Sequence, residues 1–103
     1  MGRKGGITQR GIGYVLSSLT RNSRSILRVL CEYQLEHSGK QGLPFSDYYR
    51  LCREKFLVHT DLSLRTQLTD LRDHQLVRTR KVGGVDYLYT PFPKEALAYI
   101  ESL

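Results

Sequence analysis

Positive and aromatic side chains alternate in a short stretch near the carboxyl end of the chain. Arg78, Arg80 and Lys81 precede a Gly-Gly pair, and Tyr87 and Tyr89 follow it. Guanidinium and ammonium groups bind phosphate or carboxylate oxygens, and phenol rings stack on guanidinium planes. These residue types therefore predict a surface that holds a polyanion. The alternative interpretation is self-contained packing of arginine on tyrosine, worth about 0.5–1 kcal/mol per exposed pair.

The other reactive residue types form no recognisable catalytic or metal-binding set. His37, His59 and His74 are scattered, and Cys31 and Cys52 belong to no CxxC or His-pair motif. A zinc site or a thiol nucleophile needs such spacing, and phosphate-loop and dinucleotide fingerprints are also missing from the sequence. We therefore expect a chain that is not an enzyme, with no metal, no cofactor and no small-molecule substrate. We expect both cysteines to be buried free thiols.

Periodicity predicts the elements that position the basic residues. Leu64, Leu68 and Leu71 are spaced as one buried stripe of a helix. Two β-favouring runs follow, separated by Gly83-Gly84, and they predict a tight hairpin because both glycines can adopt positive φ. A helix followed by a β-ribbon, with a short helix directly upstream, predicts an α+β fold. We interpret it as a winged helix: a three-helix core, a hairpin wing and a short closing helix.

The Gly-Gly turn also predicts the register of the hairpin. A two-residue turn and a four-residue turn give the same pairs, whereas an odd-numbered loop would not. Alternation of side chains then puts Val77, Thr79 and Leu88 on the core face, and two arginines and two tyrosines on the other. The predicted pairs are Val82–Val85, Lys81–Asp86, Arg80–Tyr87 and Arg78–Tyr89.

The upstream helices are predicted from capping residues. Thr20 is a good N-cap for a helix that runs to about His37, and Ser46 is a good N-cap for a helix over about 47–57. Asp61 or Ser63 begins the third helix. Residues 38–42 are expected to form a loop with Gly39 as a helix stop, and residues 95–100 a closing helix. Residues predicted near one side of the first two helices are Ile26, Val29, Leu30 and Tyr33, then Tyr49, Cys52, Arg53 and Phe56.

The positive charge is concentrated at the amino end. The net charge is +6, residues 1–28 contain six bases and no acid, and the remaining residues contain ten bases and ten acids, which cancel. Such a block suits phosphate or an acidic protein face, with a solubilising tail as the alternative. We expect residues 1–17 to form a flexible basic arm or linker remnant, and 18–103 to form the winged-helix domain. Arg21, Arg24 and Arg28 lie along one helix edge and are candidates for additional phosphate contacts.

The longest apolar run has five residues, at 96–100, which is too short to cross a membrane. We therefore expect a soluble intracellular protein with no membrane association. A single domain is expected for a chain of 103 residues.

The exposed face of the third helix argues against specific reading of bases. Its amino-terminal half offers Arg65 and Thr66, Arg72 lies on the flank, and its carboxyl-terminal half carries Asp70 and Asp73. Helices that read the major groove usually present Arg, Asn or Gln to the base edges, and carboxylates repel phosphates. We expect weak contacts to duplex DNA that are largely independent of sequence.

A specific combination of motifs covers about residues 18–92. Its segments are SLTRNSRSILR (18–28), CREKFLV (52–58), DLSLRTQLTDLRDH (61–74) continuing into LVRTRK (76–81), and VDYL (85–88). Together they resemble the C-terminal winged-helix region of the eukaryotic origin recognition complex subunit 2 family.

The resemblance implies a non-catalytic part of a nuclear assembly that marks replication origins and loads the replicative helicase. It implies duplex DNA and the other origin recognition complex subunits as partners. It also implies an ATPase-like domain ahead of the winged helix, which this sequence does not contain, so the chain resembles a fragment or truncated product. Carried over by position, it assigns DNA binding to Arg65, Thr66, Arg72, Arg78, Arg80 and Lys81. The ribbon pairing adds Tyr87 to that set.

Two other functions are compatible with the sequence. The chain could be a winged helix for protein–protein interaction alone, its arginines docking neighbouring subunits without direct DNA binding. It could also be a free-standing transcription regulator, which needs a dimerisation helix for which residues 12–19 and 94–103 are the weak candidates.

Overall fold

The computed structural model of the protein describes residues 16–37 and 42–102. The predicted arm (1–17) and the predicted loop at 38–42 lie mostly outside these ranges, and so does the first half of 12–19, a weak candidate for a dimerisation helix. The described part is an α+β winged helix, as predicted, with a three-stranded sheet of order β1-β3-β2. Its elements are α1 (Arg21–Glu36), β1 (Leu43–Pro44), α2 (Phe45–Glu54), α3 (Asp61–Asp73), β2 (Arg78–Val82), β3 (Val85–Tyr89) and α4 (Lys94–Ser102).

Helix α1 begins after Thr20 and lies at the centre of the core. The Thr20 hydroxyl accepts a hydrogen bond from the Ser23 amide at 3.0 Å, which confirms the predicted cap. Ile26 and Leu30 are fully buried, and the Tyr48 hydroxyl from α2 donates to the Ile26 carbonyl at 2.6 Å. That buried hydrogen bond fixes how α2 crosses α1, because an unpaired phenol there would be costly.

Helix α2 differs from the prediction at both ends. It begins at Phe45 directly after Pro44, and Ser46 is therefore inside the helix and does not cap it. It ends near Lys55, where Phe56 takes a left-handed φ of 61°. That turn leaves the Phe56 ring 87% exposed, so the prediction that it shares a side with Cys52 is wrong.

Helix α3 begins at Asp61, one of the two predicted positions. The Thr60 hydroxyl caps it by accepting from the Ser63 amide at 3.1 Å. Leu64, Leu68 and Leu71 are buried, as the periodicity predicted.

The ribbon register is confirmed at every predicted pair, from Val82↔Val85 to Arg78↔Tyr89. The third strand, β1, was not predicted: Leu43 and Pro44 pair with Leu88 and Tyr87 of β3. Gly42 precedes it with φ 135°, and a Cβ there would lie 2.8 Å from the Leu88 carbonyl oxygen. The strand therefore approaches β3 so closely that only glycine fits at its start.

The far end of β3 is held by α1 through a side-chain amide. Gln34 accepts from the Thr90 amide at 2.9 Å and donates to the Thr90 carbonyl and hydroxyl oxygens, both at 3.1 Å. Thr90 is buried, so its main-chain amide and carbonyl need hydrogen-bond partners. The Gln34 side chain supplies them in place of a neighbouring strand. The wing is thereby attached to the helical core where β3 ends.

The closing helix α4 extends the predicted 95–100 to Lys94–Ser102 and packs on the core through Leu97 and Ile100. Cys31 and Cys52 are both buried and are not joined in a disulfide, as predicted. In residues 16–37 and 42–102, the helices are too short or too polar to span a bilayer.

Candidate nucleic-acid interface

The amino-terminal part of α3 presents an oriented arginine. The Arg65 guanidinium carbon lies 4.2 Å from the centroid of the Phe45 ring, and Arg65 Nε lies 3.8 Å from Asp61 Oδ2. Cation–π stacking on Phe45 and the Asp61 carboxylate one turn earlier restrict the rotamers of this side chain. Thr66 is exposed beside it on the outer surface of the helix.

A cleft of about 260 Å³ separates α3 from the ribbon. Arg65 and Arg72 line it from the helix, and Thr79 and Asp86 line it from the strands. Arg72 is exposed and makes no ion pair within the described part of the chain. The two arginines are therefore brought to one edge of the cleft.

The ribbon carries its charges on two opposite faces. Lys81 lies on the cleft face, where its Nζ is 3.6 Å from Asp86 Oδ1. Arg80 lies on the other face, with its guanidinium carbon 5.1 Å from the centroid of the Tyr89 ring. Alternation along the strand places Arg78 with Arg80, because Arg78 pairs directly with Tyr89.

The predicted site is thus divided into two groups. The inner basic group consists of Arg65 and Arg72, which line the cleft between α3 and the ribbon, and of Lys81, which is paired with the lining residue Asp86. The outer basic group consists of Arg78 and Arg80, which share the opposite ribbon face with Tyr87 and Tyr89. The sequence assigned residues to the core face and the outer face of the ribbon, but it did not predict the cleft between the core face and α3.

The α1 arginines lie in a third place. Arg21, Arg24 and Arg28 line a separate cleft of about 230 Å³ with Leu16, Ser25 and Ile100. None of these lining residues borders the cleft between α3 and the ribbon. The structure therefore does not join them to either basic group.

The family model described as ORC2 WHD, the winged-helix domain of origin recognition complex subunit 2, matches residues 35–96. The chain belongs to this family. Origin recognition complex subunit 2 from Xenopus laevis is 48% identical over 93 residues, which cover 86% of the chain. The chain spans 17% of that relative's length.

Solved structures agree with this assignment. A Drosophila origin recognition complex bound to AT-rich DNA and Cdc6 contains a chain that superimposes with a TM-score of 0.75 at 45% identity. The match covers 84% of this chain and 29% of the Drosophila chain. The corresponding structure with GC-rich DNA gives a TM-score of 0.75 at 41% identity. That match covers 88% of this chain and 30% of the Drosophila chain. The resemblance to the subunit 2 winged helix is confirmed.

For a subunit 2 winged helix, the electrostatics of α3 are uneven along its length. Asp70 and Asp73 are exposed near its carboxyl end, and His74 Nδ1 lies 2.8 Å from the Asp70 carbonyl oxygen. Positive charge is therefore confined to the edge that carries Arg65 and Arg72. The role of Phe45 in holding Arg65 was missed, because nothing in local spacing links α2 to α3.

The Cys52 thiol and the Tyr48 hydroxyl are buried, and burial keeps both groups in their neutral forms. Burial raises the pKa of the Cys52 thiol to about 12. The thiol is therefore neutral near pH 7 and a poor nucleophile. Burial also raises the pKa of Tyr48. Residues 16–37 and 42–102 contain no cluster of three His, Cys, Asp or Glu side chains that could hold a metal ion.

Proposed function

We propose that this subunit 2 winged helix is a non-catalytic module that binds duplex DNA through backbone phosphates and contacts neighbouring subunits of an origin recognition complex. Its place of action would be the nucleus, at the initiation of DNA replication. Membership of the subunit 2 family supports a place in an origin recognition complex. The related Drosophila complexes were solved with DNA, which supports the DNA contact. Within residues 16–37 and 42–102 no group of side chains could hold a metal ion. The two basic groups therefore offer a ligand charge and shape.

The observation that carries the proposal is the pair Arg65 and Arg72 on one edge of the α3–ribbon cleft. They are seven residues apart, which is close to two helical turns, so both point along the same side of α3. Arg65 is already oriented by Phe45 and Asp61. Preorganised guanidinium groups lose less entropy when they bind phosphate oxygens.

Binding should depend little on base sequence. Asp70 and Asp73 occupy the exposed part of α3 that would have to face base edges. Carboxylates can only accept hydrogen bonds, for which the usual base partner is the cytosine amino group, and they repel the flanking phosphates. The related Drosophila complexes, solved with AT-rich and with GC-rich DNA, are consistent with such tolerance.

The outer basic group decides how many phosphates the domain contacts. If the ribbon straddles a backbone, Arg78 and Arg80 join Arg65 and Arg72 in about four phosphate contacts, and the log–log salt slope is about −3.6. If the inner basic group alone binds, Arg65 and Arg72 give about two contacts and a slope near −1.8, since Lys81 is paired with Asp86. We propose that both groups contribute.

Fluorescence anisotropy with the full chain and labelled duplexes tests this. AT-rich, GC-rich and scrambled duplexes of equal length should bind within about threefold of each other, with the steeper salt slope. Arg65→Glu/Arg72→Glu and Arg78→Glu/Arg80→Glu should each weaken binding and flatten the slope by about 1.8.

Lys55→Glu/Lys94→Glu is the matched control, because it changes the charge equally at two exposed positions outside both basic groups. It should leave the slope nearly unchanged. Equal losses in the control and in the two arginine variants would reduce the effect to net charge and refute a defined interface. A flat salt response, or a preference of about a thousandfold for one duplex, would also contradict the proposal.

The second candidate is a protein-docking role for the outer basic group. Arg80 is stacked on Tyr89 and faces away from the α3 cleft, an arrangement that also suits a neighbouring subunit. A pull-down on partner subunits with Arg78→Glu/Arg80→Glu distinguishes the two. Lost partner binding with unchanged DNA affinity would assign the outer basic group to docking.

A further inference from the structure

A cleft beside α1 has a rim of arginines that no described contact explains. Arg21, Arg24 and Arg28 border it, and Leu16 and Ile100, which are only 3% and 1% exposed, lie at its floor. All three arginines are exposed, and none makes an ion pair with a side chain that the structure describes. The rim is therefore a concentrated positive charge beside an apolar surface.

The placement of these arginines opposes helix stability. Arg21 and Arg24 lie in the first turns of α1, where the helix dipole favours acids, and that first turn contains no acid. Removing one positive charge there would relieve repulsion from the amino-terminal N–H groups. A bound anion would do the same, so the arrangement suits a ligand with carboxylates.

The cleft lies on a different side of α1 from α3. Ser23 hydrogen-bonds Gln67 of α3. At about 100° per residue, the three arginines fall within about 60° of one another and about 100–160° from Ser23. A duplex held by the α3 edge is thus not positioned to fill this cleft.

The size of the cleft distinguishes between kinds of anion. Its volume of about 230 Å³ is smaller than ordinary small-molecule pockets, which start at about 300 Å³, and it is concave. A duplex presents a broad convex backbone and no apolar group to such a floor. One apolar side chain with acidic neighbours fits both the floor and the rim.

We propose that the α1 cleft docks a short acidic peptide segment of a partner protein, with one apolar side chain inserted toward Leu16 and Ile100. Carboxylates flanking that side chain pair with Arg21, Arg24 and Arg28. This site is independent of the proposed DNA contact, and it would give the domain a protein-binding surface on a second side.

The test measures anisotropy of a fluorescein-labelled Asp/Glu peptide with a central Leu-Phe pair, using the full chain. Arg21→Glu/Arg24→Glu should weaken peptide binding by about tenfold or more, because two attractions become repulsions. The variant should stay folded, since acids suit the first turn of a helix, and circular dichroism checks this. Replacing Leu-Phe by Ser-Ser in the peptide should also weaken binding, which tests the apolar floor without altering the core.

Arg65→Glu/Arg72→Glu serves as the reciprocal control. It should weaken duplex binding and leave the peptide affinity within about twofold, whereas Arg21→Glu/Arg24→Glu should do the reverse. Equal affinity for the Ser-Ser peptide would overturn the proposal, because only charge would then matter. Loss of duplex binding in Arg21→Glu/Arg24→Glu with unchanged peptide binding would make the cleft a phosphate surface and would also overturn it.

Discussion

The attachment of the wing to the core through Gln34 can be tested by a single substitution. Gln34→Met keeps the length and most of the packing of the side chain but removes its donor and acceptor. The Thr90 amide, carbonyl and hydroxyl would then lose their partners. Because Thr90 is only 3% exposed, water cannot easily replace those hydrogen bonds.

The expected cost follows from the number of bonds. Three hydrogen bonds at about 0.5–1.5 kcal/mol each give about 1.5–4.5 kcal/mol. A domain of this size is stable by about 5–15 kcal/mol, so the loss is a large fraction of the total. The melting temperature should fall by at least about 6 °C.

Urea unfolding followed by circular dichroism measures this free energy, and amide hydrogen exchange locates the effect. Protection should fall first at Thr90 and the adjoining residues of β3. Glu32→Gln, at an exposed position on the same helix, is the control and should change stability by less than about 0.5 kcal/mol. A Gln34→Met variant as stable as the control would refute the assignment of these bonds as the attachment of the wing.

Four further substitutions probe the backbone and the buried thiol. Phe56→Gly should stabilise the fold by about 0.5–1 kcal/mol in urea unfolding, because φ is 61° and the exposed ring loses no packing. Gly42→Ala should cost at least about 2 kcal/mol, since its Cβ would meet the Leu88 carbonyl, whereas Gly83→Ala should cost about 1 kcal/mol. Between about pH 8 and about pH 10 stability should fall by about 1.4 kcal/mol from Cys52 alone, and Cys52→Ala should remove that part of the slope.

The sign of the pH effect comes from the two pKa values of the thiol. In the unfolded chain the thiol ionises near its ordinary value of 9.0, whereas the folded pKa is about 12. Above about pH 9 the unfolded state therefore binds fewer protons and is favoured. An unchanged slope in Cys52→Ala would contradict this, as destabilisation by Phe56→Gly or equal costs at Gly42 and Gly83 would contradict the backbone arguments.

The sequence predicts the ribbon well because its register depends on local chemistry. Gly83 and Gly84 both adopt positive φ, and the paired residues follow from an even-numbered turn. The buried stripe of α3 is equally local. By contrast, β1 has two residues, which is too short for any alternation to be visible.

The boundaries of α2 were wrong because tertiary contacts compete with a good local signal. Ser46 is a favourable cap by type, but β1 ends at Pro44 and the chain turns straight into the helix. Phe56 has helical spacing from Cys52, yet the left-handed turn removes it from the core. Neither effect can be read from residue type and spacing alone.

The candidate site was predicted in its residue types but not in its arrangement. Alternation separates Arg80 from Lys81, but the sequence does not show how the ribbon packs against α3. That depends on Leu88 entering the core beside Leu68. The pairing of Lys81 with Asp86 was predicted as a register, while its effect on the charge available for binding needed the 3.6 Å contact.

Strand β2 has one neighbour in the sheet, β3, so its outer edge leaves main-chain groups unpaired. Such an edge invites pairing with the same strand of another molecule, and clustered like charges discourage that. Arg78, Arg80 and Lys81 would repel their own copies across the edge. These side chains therefore also help keep separate molecules from joining into extended sheets, and neutral replacements would carry a risk of aggregation that charge reversal would not.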